Sequence, residues 1–385
     1  MAELTRKELV LALIAAPAGR VRLAGVDLSG LDLSGLDLSG VTLRGANLEG
    51  CRLAGTNLSG ADLGLARLRR ADLTGANLRK AILYRADLSG ATLARAVLGG
   101  ATLEEVDLTG ADLREVLLED VALLSPILRE ADLRGVDLTR LELTGADLSG
   151  ARLAGCDLRG IGLSRARLRG ADLSGVDARG WEEATEITDA DLTGANLTGA
   201  NLEGASLVAS DLSGATLDGA RLAGADLHAA RLPGASLVGV RGHAARSEVP
   251  PPPEGVPQDG GEWPPPPSFS LADLGEADLR SADLPGVDLG GARLGRADLS
   301  GARMAGAYLV QADLRGARLV ETDLSDADLG LSMLDGADLT GANLVGARLS
   351  GASLGGAVLD GVLADDPELM IAMDEERTDG GGTVS

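Results

Sequence analysis

Few residues of this chain could do chemistry, and their spacing decides what they can do. There are two histidines, His228 and His243, and two cysteines, Cys51 and Cys156. A zinc site needs Cys, His or carboxylate ligands in short, clustered spacings, and none of the four sits in one. No glycine-rich phosphate loop, nucleophile elbow or CxxC pair is present. Carboxylates are plentiful but lie on a regular lattice interleaved with arginine, as a solvated, turn-stabilising row would. The sequence therefore predicts no catalytic residue, no metal, no cofactor and no enzymatic activity.

The element that positions all of these groups is a repeat. Every position from Leu23 to Leu173 at a spacing of five is leucine, and the period returns from Leu192 to Leu237 and from Leu274 to Leu359, where only Met304 interrupts it. A period of five fits neither a helix nor a strand and marks a repeat architecture. With leucine as position i, position i−2 is small and apolar, i−1 is mostly Asp, Asn, Thr or Arg, and i+2 is often Gly, as in Ala71-Asp72-Leu73-Thr74-Gly75. Burying i and i−2 while turning at i+2 winds the chain into a square coil with one repeat per side, about 20 residues per coil, stacked at about 4.8 Å. Outward residues 20 apart should then stack, and like charges should be avoided there. Arg293 lies between Asp273 and Asp313, Arg303 between Asp283 and Asp323, Arg318 between Asp298 and Asp338, Arg52 between Asp32 and Asp72, and Arg152 between Asp132 and Asp172.

With these residues in view, the chain resembles the pentapeptide repeat family over roughly 310 of its 385 residues. The resemblance implies an all-β solenoid, a right-handed quadrilateral parallel β-helix. Some members bind DNA gyrase or topoisomerase IV and protect it from quinolone-like poisons as DNA mimics, so the resemblance implies that protein partner too. Such members often carry Phe at position i near a C-terminal dimer interface; here Phe269 is the only Phe.

The expected organisation is a capping helix in residues 1–20, a first array over 21–180, an acidic insert loop at 181–189, a second array over 190–243, a Pro-rich segment at 244–268, a third array over 269–363, and a C-terminal cap and disordered tail at 364–385. Thr5-Arg6-Lys7-Glu8 reads as a capping box ahead of an apolar run. A signal peptide is the competing reading, with Glu3 and Glu8 against it. The Pro-rich segment either links two rods or projects from one rod of about fifteen coils, about 70 Å long at the sheet spacing. No apolar run is long enough to span a membrane. Cys51 and Cys156 both stand at i−2 about five coils apart, too far for a disulfide, and core thiols point to the cytoplasm.

Net charge is −23 but uneven: residues 1–180 carry 24 acidic against 23 basic groups, residues 269–360 carry 14 against 7. Partners of the acidic half should be basic, and direct nucleic-acid binding is not expected. Residues 79–130 depart most from the consensus. Ile82, Val97, Leu117 and Ile127 put apolar side chains at outward i−1 positions, and Tyr84 and Leu124 lie at i+1 nearby. Charges replace Gly at i+2, with Arg85–Glu105 and Arg95–Glu115 each 20 apart. These six apolar residues form a candidate surface for a partner or a homodimer. Trp181, Glu182, Glu183 and Trp263 are candidate loop contacts. The residues themselves point to a non-enzymatic interaction rod or scaffold; the resemblance adds a DNA-mimicking topoisomerase binder as the alternative.

Overall fold

The computed structural model describes residues 5–15, 21–121, 123, 125–139, 141–180, 185–243 and 265–365. The chain divides into two compact units, Met1–Asp177 and Ala178–Ser385.

The first unit opens with helix α1, Arg6–Ala15. Its capping box closes reciprocally: Thr5 N–H donates to Glu8 Oε2 at 2.7 Å, and Glu8 N–H donates to Thr5 Oγ1 at 3.3 Å. The helix is anchored to the first coil. Leu9 is buried, and the Arg6 guanidinium donates to the Asp32 carbonyl at 2.5 Å and meets the Asp32 carboxylate at 3.0 Å.

The rest of the unit is a ladder of short parallel bridges with a register of 20, such as Arg52↔Asp72 and Arg152↔Asp172. Four repeats therefore complete a coil. Each repeat follows one hydrogen-bond plan. The Leu73 N–H donates to the Thr92 carbonyl of the next coil at 2.7 Å, Gly75 N–H donates to the Ala94 carbonyl at 2.9 Å, and Ala76 N–H turns back to the Leu73 carbonyl at 2.9 Å. That last bond closes a four-residue turn whose third residue, Gly75, has φ +63°. Turns of this kind need a positive φ there, which explains the Gly preference. Where side chains replace Gly, as at Lys80, Arg95, Glu115 and Asp120, they still take φ between 53° and 60°.

Inside, the Leu column and the i−2 residues are almost completely buried. Polar i−2 residues bond to the coil before: Thr56 Oγ1 to the Leu33 carbonyl at 2.9 Å, and Cys51 Sγ to the Leu28 carbonyl at 2.9 Å.

The second unit repeats the plan. Here two expected boundaries are corrected. Thr185–Asp189 is a repeat, not part of the insert loop: Ile187 is buried at the leucine position, Glu186 bridges Ser206, and Asp189 takes the corner φ of 55°. Ile and Asp fill roles that the Leu and Gly pattern conceals. The third array likewise begins before Phe269, because Pro267 is buried at i−2 and Ser268 bridges both Asp226 and Asp288. Across the Pro-rich segment the ladder continues with a register of 42, through Asp226↔Ser268, Arg231↔Asp273, Ser236↔Asp278 and Arg241↔Asp283. Phe269 is fully buried at position i. The expected C-terminal cap from Asp366 onward lies outside the described residues.

Candidate interaction surface

The register assigns each outward residue to one side of its coil. Val97 stacks between Asn77 and Leu117 on one side of the first unit. Ile82 lies on the adjoining side, between Asp62 and Thr102, and Ile127 on the side opposite Val97, between Asp107 and Asp147. Val97 stacks on Leu117, as their spacing of 20 in the sequence implies, while Ile82 and Ile127 lie on other sides, so the six residues do not form one patch. Sequence nearness along 79–130 could not show this, because five residues carry the chain onto another side. Leu117 is 56% exposed and Ile82 44%, while Val97, Tyr84 and Ile127 are half-buried. Leu124, Trp181, Glu182, Glu183 and Trp263 lie outside the described residues.

Charged corner residues brace this stretch. Arg85 Nε donates to Glu105 Oε2 at 2.7 Å, and Arg95 Nε to Glu115 Oε2 at 2.9 Å. The Arg85 guanidinium also lies 5.0 Å from the Tyr84 ring centroid.

The aspartate lattice is occupied locally. Asp298 Oδ1 accepts the Ser300 N–H at 3.0 Å and Asp72 Oδ1 the Thr74 N–H at 3.0 Å, fixing each corner. The ladder pairs read from the sequence are present at longer range, with Arg293–Asp273 at 3.9 Å and Arg303–Asp283 at 3.7 Å. A second, tighter set escaped the sequence reading. In each Asp-Leu-Arg triplet the arginine forks its own aspartate, as Arg315 does to Asp313 with Nε to Oδ1 at 2.8 Å and Nη2 to Oδ2 at 2.7 Å. Asp112–Arg114, Asp132–Arg134, Asp157–Arg159 and Asp278–Arg280 do the same. These forks hold Asp112, Asp132, Asp278 and Asp313 below the usual carboxylate range. The triplet itself was the signal.

The remaining chemical groups are placed for structure. Burial pushes the Cys51 thiol up to about 11 and raises Cys156 as well, so neither is poised as a nucleophile. His228 Nδ1 lies 2.9 Å from Ser270 Oγ, and His243 Nδ1 lies 3.4 Å from Asp283 Oδ2. Among the described residues no group of His, Cys and carboxylates is arranged to hold a metal ion, and no helix is long and apolar enough to cross a membrane. A basin of about 790 Å³ in the second unit, beside Gly234, Gly275 and Gly295, is lined by charges that pair with one another: Arg293 with Asp273, Arg296 with Glu276, and Arg315 with Asp313.

Comparison with known proteins bears on the repeat. No curated protein matches the chain. Among solved structures it is similar to HetL, a pentapeptide repeat protein involved in heterocyst differentiation regulation from the cyanobacterium Nostoc, at 25% identity over 94% of this chain and 98% of that one, with a TM-score of 0.23. It is also similar to Rfr23 from the cyanobacterium Cyanothece 51142, at 29% identity over 30% of this chain and 90% of that one, TM-score 0.29. A third similarity is to QnrB1, a plasmid-mediated fluoroquinolone resistance protein, at 18% identity over 66% and 96%, TM-score 0.29. At these TM-scores the superpositions carry no weight; the repeat match does. The family model described as pentapeptide repeats (8 copies) matches residues 22–60, 46–85, 81–120, 128–160, 146–180, 185–222, 205–241, 268–296, 292–330 and 332–362. Sequence period, four-sided register and family match agree, and the chain belongs to the pentapeptide repeat family.

Proposed function

We propose that this protein is a non-enzymatic interaction scaffold, wound as the right-handed quadrilateral β-helix that its family implies, and that it works in the cytoplasm, where its two core thiols stay reduced. The observation that carries the reading is the Val97–Leu117 column. Outward i−1 positions are otherwise mostly Asp, Asn, Arg and Thr, and a solenoid needs no apolar side chain there for its own stability. A Val97→Asp, Leu117→Asp double variant should keep its circular dichroism and thermal transition, since both side chains face outward. Its self-association, followed by light scattering, or its cross-linking to partner proteins should fall. Unchanged association and cross-linking would remove the reading.

The acidic balance of the second unit favours one alternative, a DNA-mimicking protein that binds DNA gyrase or topoisomerase IV. The arginine forks weaken it by neutralising part of the aspartate lattice. A supercoiling assay with titrated protein, with and without a quinolone, tests it. Inhibition or protection that fades as salt rises is the expected result, because binding would rest on charge. No effect at large excess would discard it.

A further inference from the structure

The side that carries Val97 and Leu117 is also where the first unit's ladder comes apart. Up to Leu117 the plan holds: Leu98 N–H donates to the Leu117 carbonyl at 3.0 Å and Gly100 N–H to the Glu119 carbonyl at 2.9 Å. Beyond it the Asp137↔Asp157↔Asp177 ladder is intact. Between these stretches the register calls for Leu118 N–H to the Asp137 carbonyl, Asp120 N–H to the Thr139 carbonyl, and Asp137 N–H to the Val116 carbonyl. None of these bonds, and no Leu117↔Asp137 bridge, is formed among the described residues. The side opposite stays closed through Asp107↔Ile127↔Asp147, as does Asp112↔Asp132 on a third side. The adjoining side is open too, since neither Leu123 N–H to the Glu142 carbonyl nor Glu142 N–H to the Val121 carbonyl is formed among the described residues, so the coils are hinged apart from Leu117 round to Ser125.

The opening is a cleft of about 700 Å³, with Glu115 to Val121 along one edge and Gly135, Asp137, Thr139 and Leu141 along the other. Two facing β-edges with free donors and acceptors make a template for a further strand. The floor and walls are apolar at Leu117, Leu118, Val121 and Leu141, and Leu118 is partly exposed although it belongs to the core column. Among the described residues the rim carries the carboxylates of Glu115, Glu119, Asp120 and Asp137. Arg95 pairs with Glu115, while Glu119, Asp120 and Asp137 form no ion pair among the described residues. In an extended strand alternate side chains point to opposite faces, so one face would meet the apolar floor and the other the acidic rim.

We propose that this cleft binds an extended segment of a partner protein in which apolar and basic residues alternate, inserted as an additional strand between the two coil edges. This rests on the scaffold reading and specifies its mode of contact: main-chain ladder bonds supply affinity, and the alternating pockets and charges supply selectivity. A segment of about six residues, roughly 20 Å when extended, spans the edge.

The test uses the full chain and a fluorescent, end-blocked hexapeptide alternating Lys and Val. Anisotropy should show saturable binding that weakens with salt. Methylating alternate backbone nitrogens of the peptide should weaken binding by about tenfold or more, and so should the exposed rim variant Glu119→Lys, Asp137→Lys. Exchanging Lys for Glu in the peptide should abolish binding. Amide hydrogen exchange identifies the site. In the free protein Leu118 and Asp120 should exchange much faster than Leu98 and Gly100, and the peptide should protect them. Protected Leu118 and Asp120 amides in the free protein would overturn the proposal, as would absent binding or binding without protection there. The scaffold reading would survive each of those results, because it stands on the Val97→Asp, Leu117→Asp association experiment.

Discussion

The coils between Ala272 and Leu344 of the second unit and those between Glu115 and Leu141 of the first obey the same leucine period, yet only the former close on every side that the described residues cover. In the second unit the ladder runs unbroken from Asp273↔Arg293 to Asn343↔Leu363 around leucines that are fully buried. In the first, Leu118 is partly exposed, and the inward leucines from Leu93 to Leu143 line a small apolar void. The leucine column is thus not what decides closure. The difference lies two residues earlier. The regular coils carry mostly Ala at i−2, whereas the open stretch carries Val116, Val121, Pro126, Val136 and Leu141. By the register of 20, Val116 sits over Val136 and Val121 over Leu141. Interiors packed to crystal-like density do not absorb such bulk without displacement, and here the displaced coils part on the two adjoining sides where the bulk is stacked.

The largest effect should come from deleting a core leucine in each region. Leu299→Ala removes a fully buried side chain and should cost about 2–5 kcal/mol. Leu118→Ala removes one that already lacks complete packing, and should cost roughly 1 kcal/mol or less. Urea unfolding followed by circular dichroism measures both. Equal costs would mean that the two regions are packed alike and that the comparison is unsound.

The crowding account can be sharpened by a change that ought to be harmful. Shortening a buried and a half-buried apolar side chain, Val121 and Leu141, normally costs several kcal/mol. If Val121 and Leu141 force the coils apart, a Val121→Ala, Leu141→Ala variant should lose at most about 1 kcal/mol, because relief of overpacking offsets the lost burial. It should also slow exchange at the Leu118 and Asp120 amides. A loss of several kcal/mol with unchanged exchange would locate the cause of the opening elsewhere.

A smaller effect separates two serines at i−2 in the second unit. Ser210 Oγ donates to the Ile187 carbonyl, whereas the buried Ser332 Oγ has no partner among the described residues. Ser332→Ala should therefore stabilise by about 1 kcal/mol, and Ser210→Ala should destabilise by a similar amount. Matching signs in thermal melts would show that the hydroxyl bond is not what distinguishes them.

Much of the fold was legible because a period of five leaves one solution that buries both apolar positions and turns at the Gly corner. The ladder of Arg over Asp was legible too, since the register of 20 places Arg293 on Asp273 without further information. What was not legible depended on exceptions to the pattern. Thr185–Asp189 was hidden because it carries neither Leu nor Gly, although Ile187 and Asp189 serve the same steric ends. The candidate patch was legible as a run of outward apolar residues, but its division among different sides follows only from counting residues modulo 20, and only Val97 with Leu117 survives that count. The open ladder beside Leu117 could not be read at all, because it comes from accumulated volume at i−2, where each substitution is individually conservative.

The smallest effect concerns acid, and it probes how the regular coils are fastened. Asp313 is held below the usual carboxylate range first by its hydrogen bonds from Arg315, and then by the backbone donor of Arg315 and the charges of Arg315 and Arg293, against a desolvation that acts the other way. Asp278 is held down in the same way by Arg280, and Asp338 by Thr340. A carboxyl whose folded pKa lies below its unfolded value contributes stability above the unfolded value, and that contribution is lost as pH falls through the folded one. The thermal midpoint should therefore hold steady down to about pH 4 and decline below it. The Arg315 side chain of this fork is 60% exposed although that of Asp313 is only 18% exposed, so the pair's share is modest and partly screened. In Arg315→Gln, Asp313 moves back toward its ordinary value, which lowers the midpoint slightly at neutral pH and makes the decline below pH 4 shallower. An acid limb of unchanged steepness would mean that the forks decorate corners which the Asp to backbone bonds already hold.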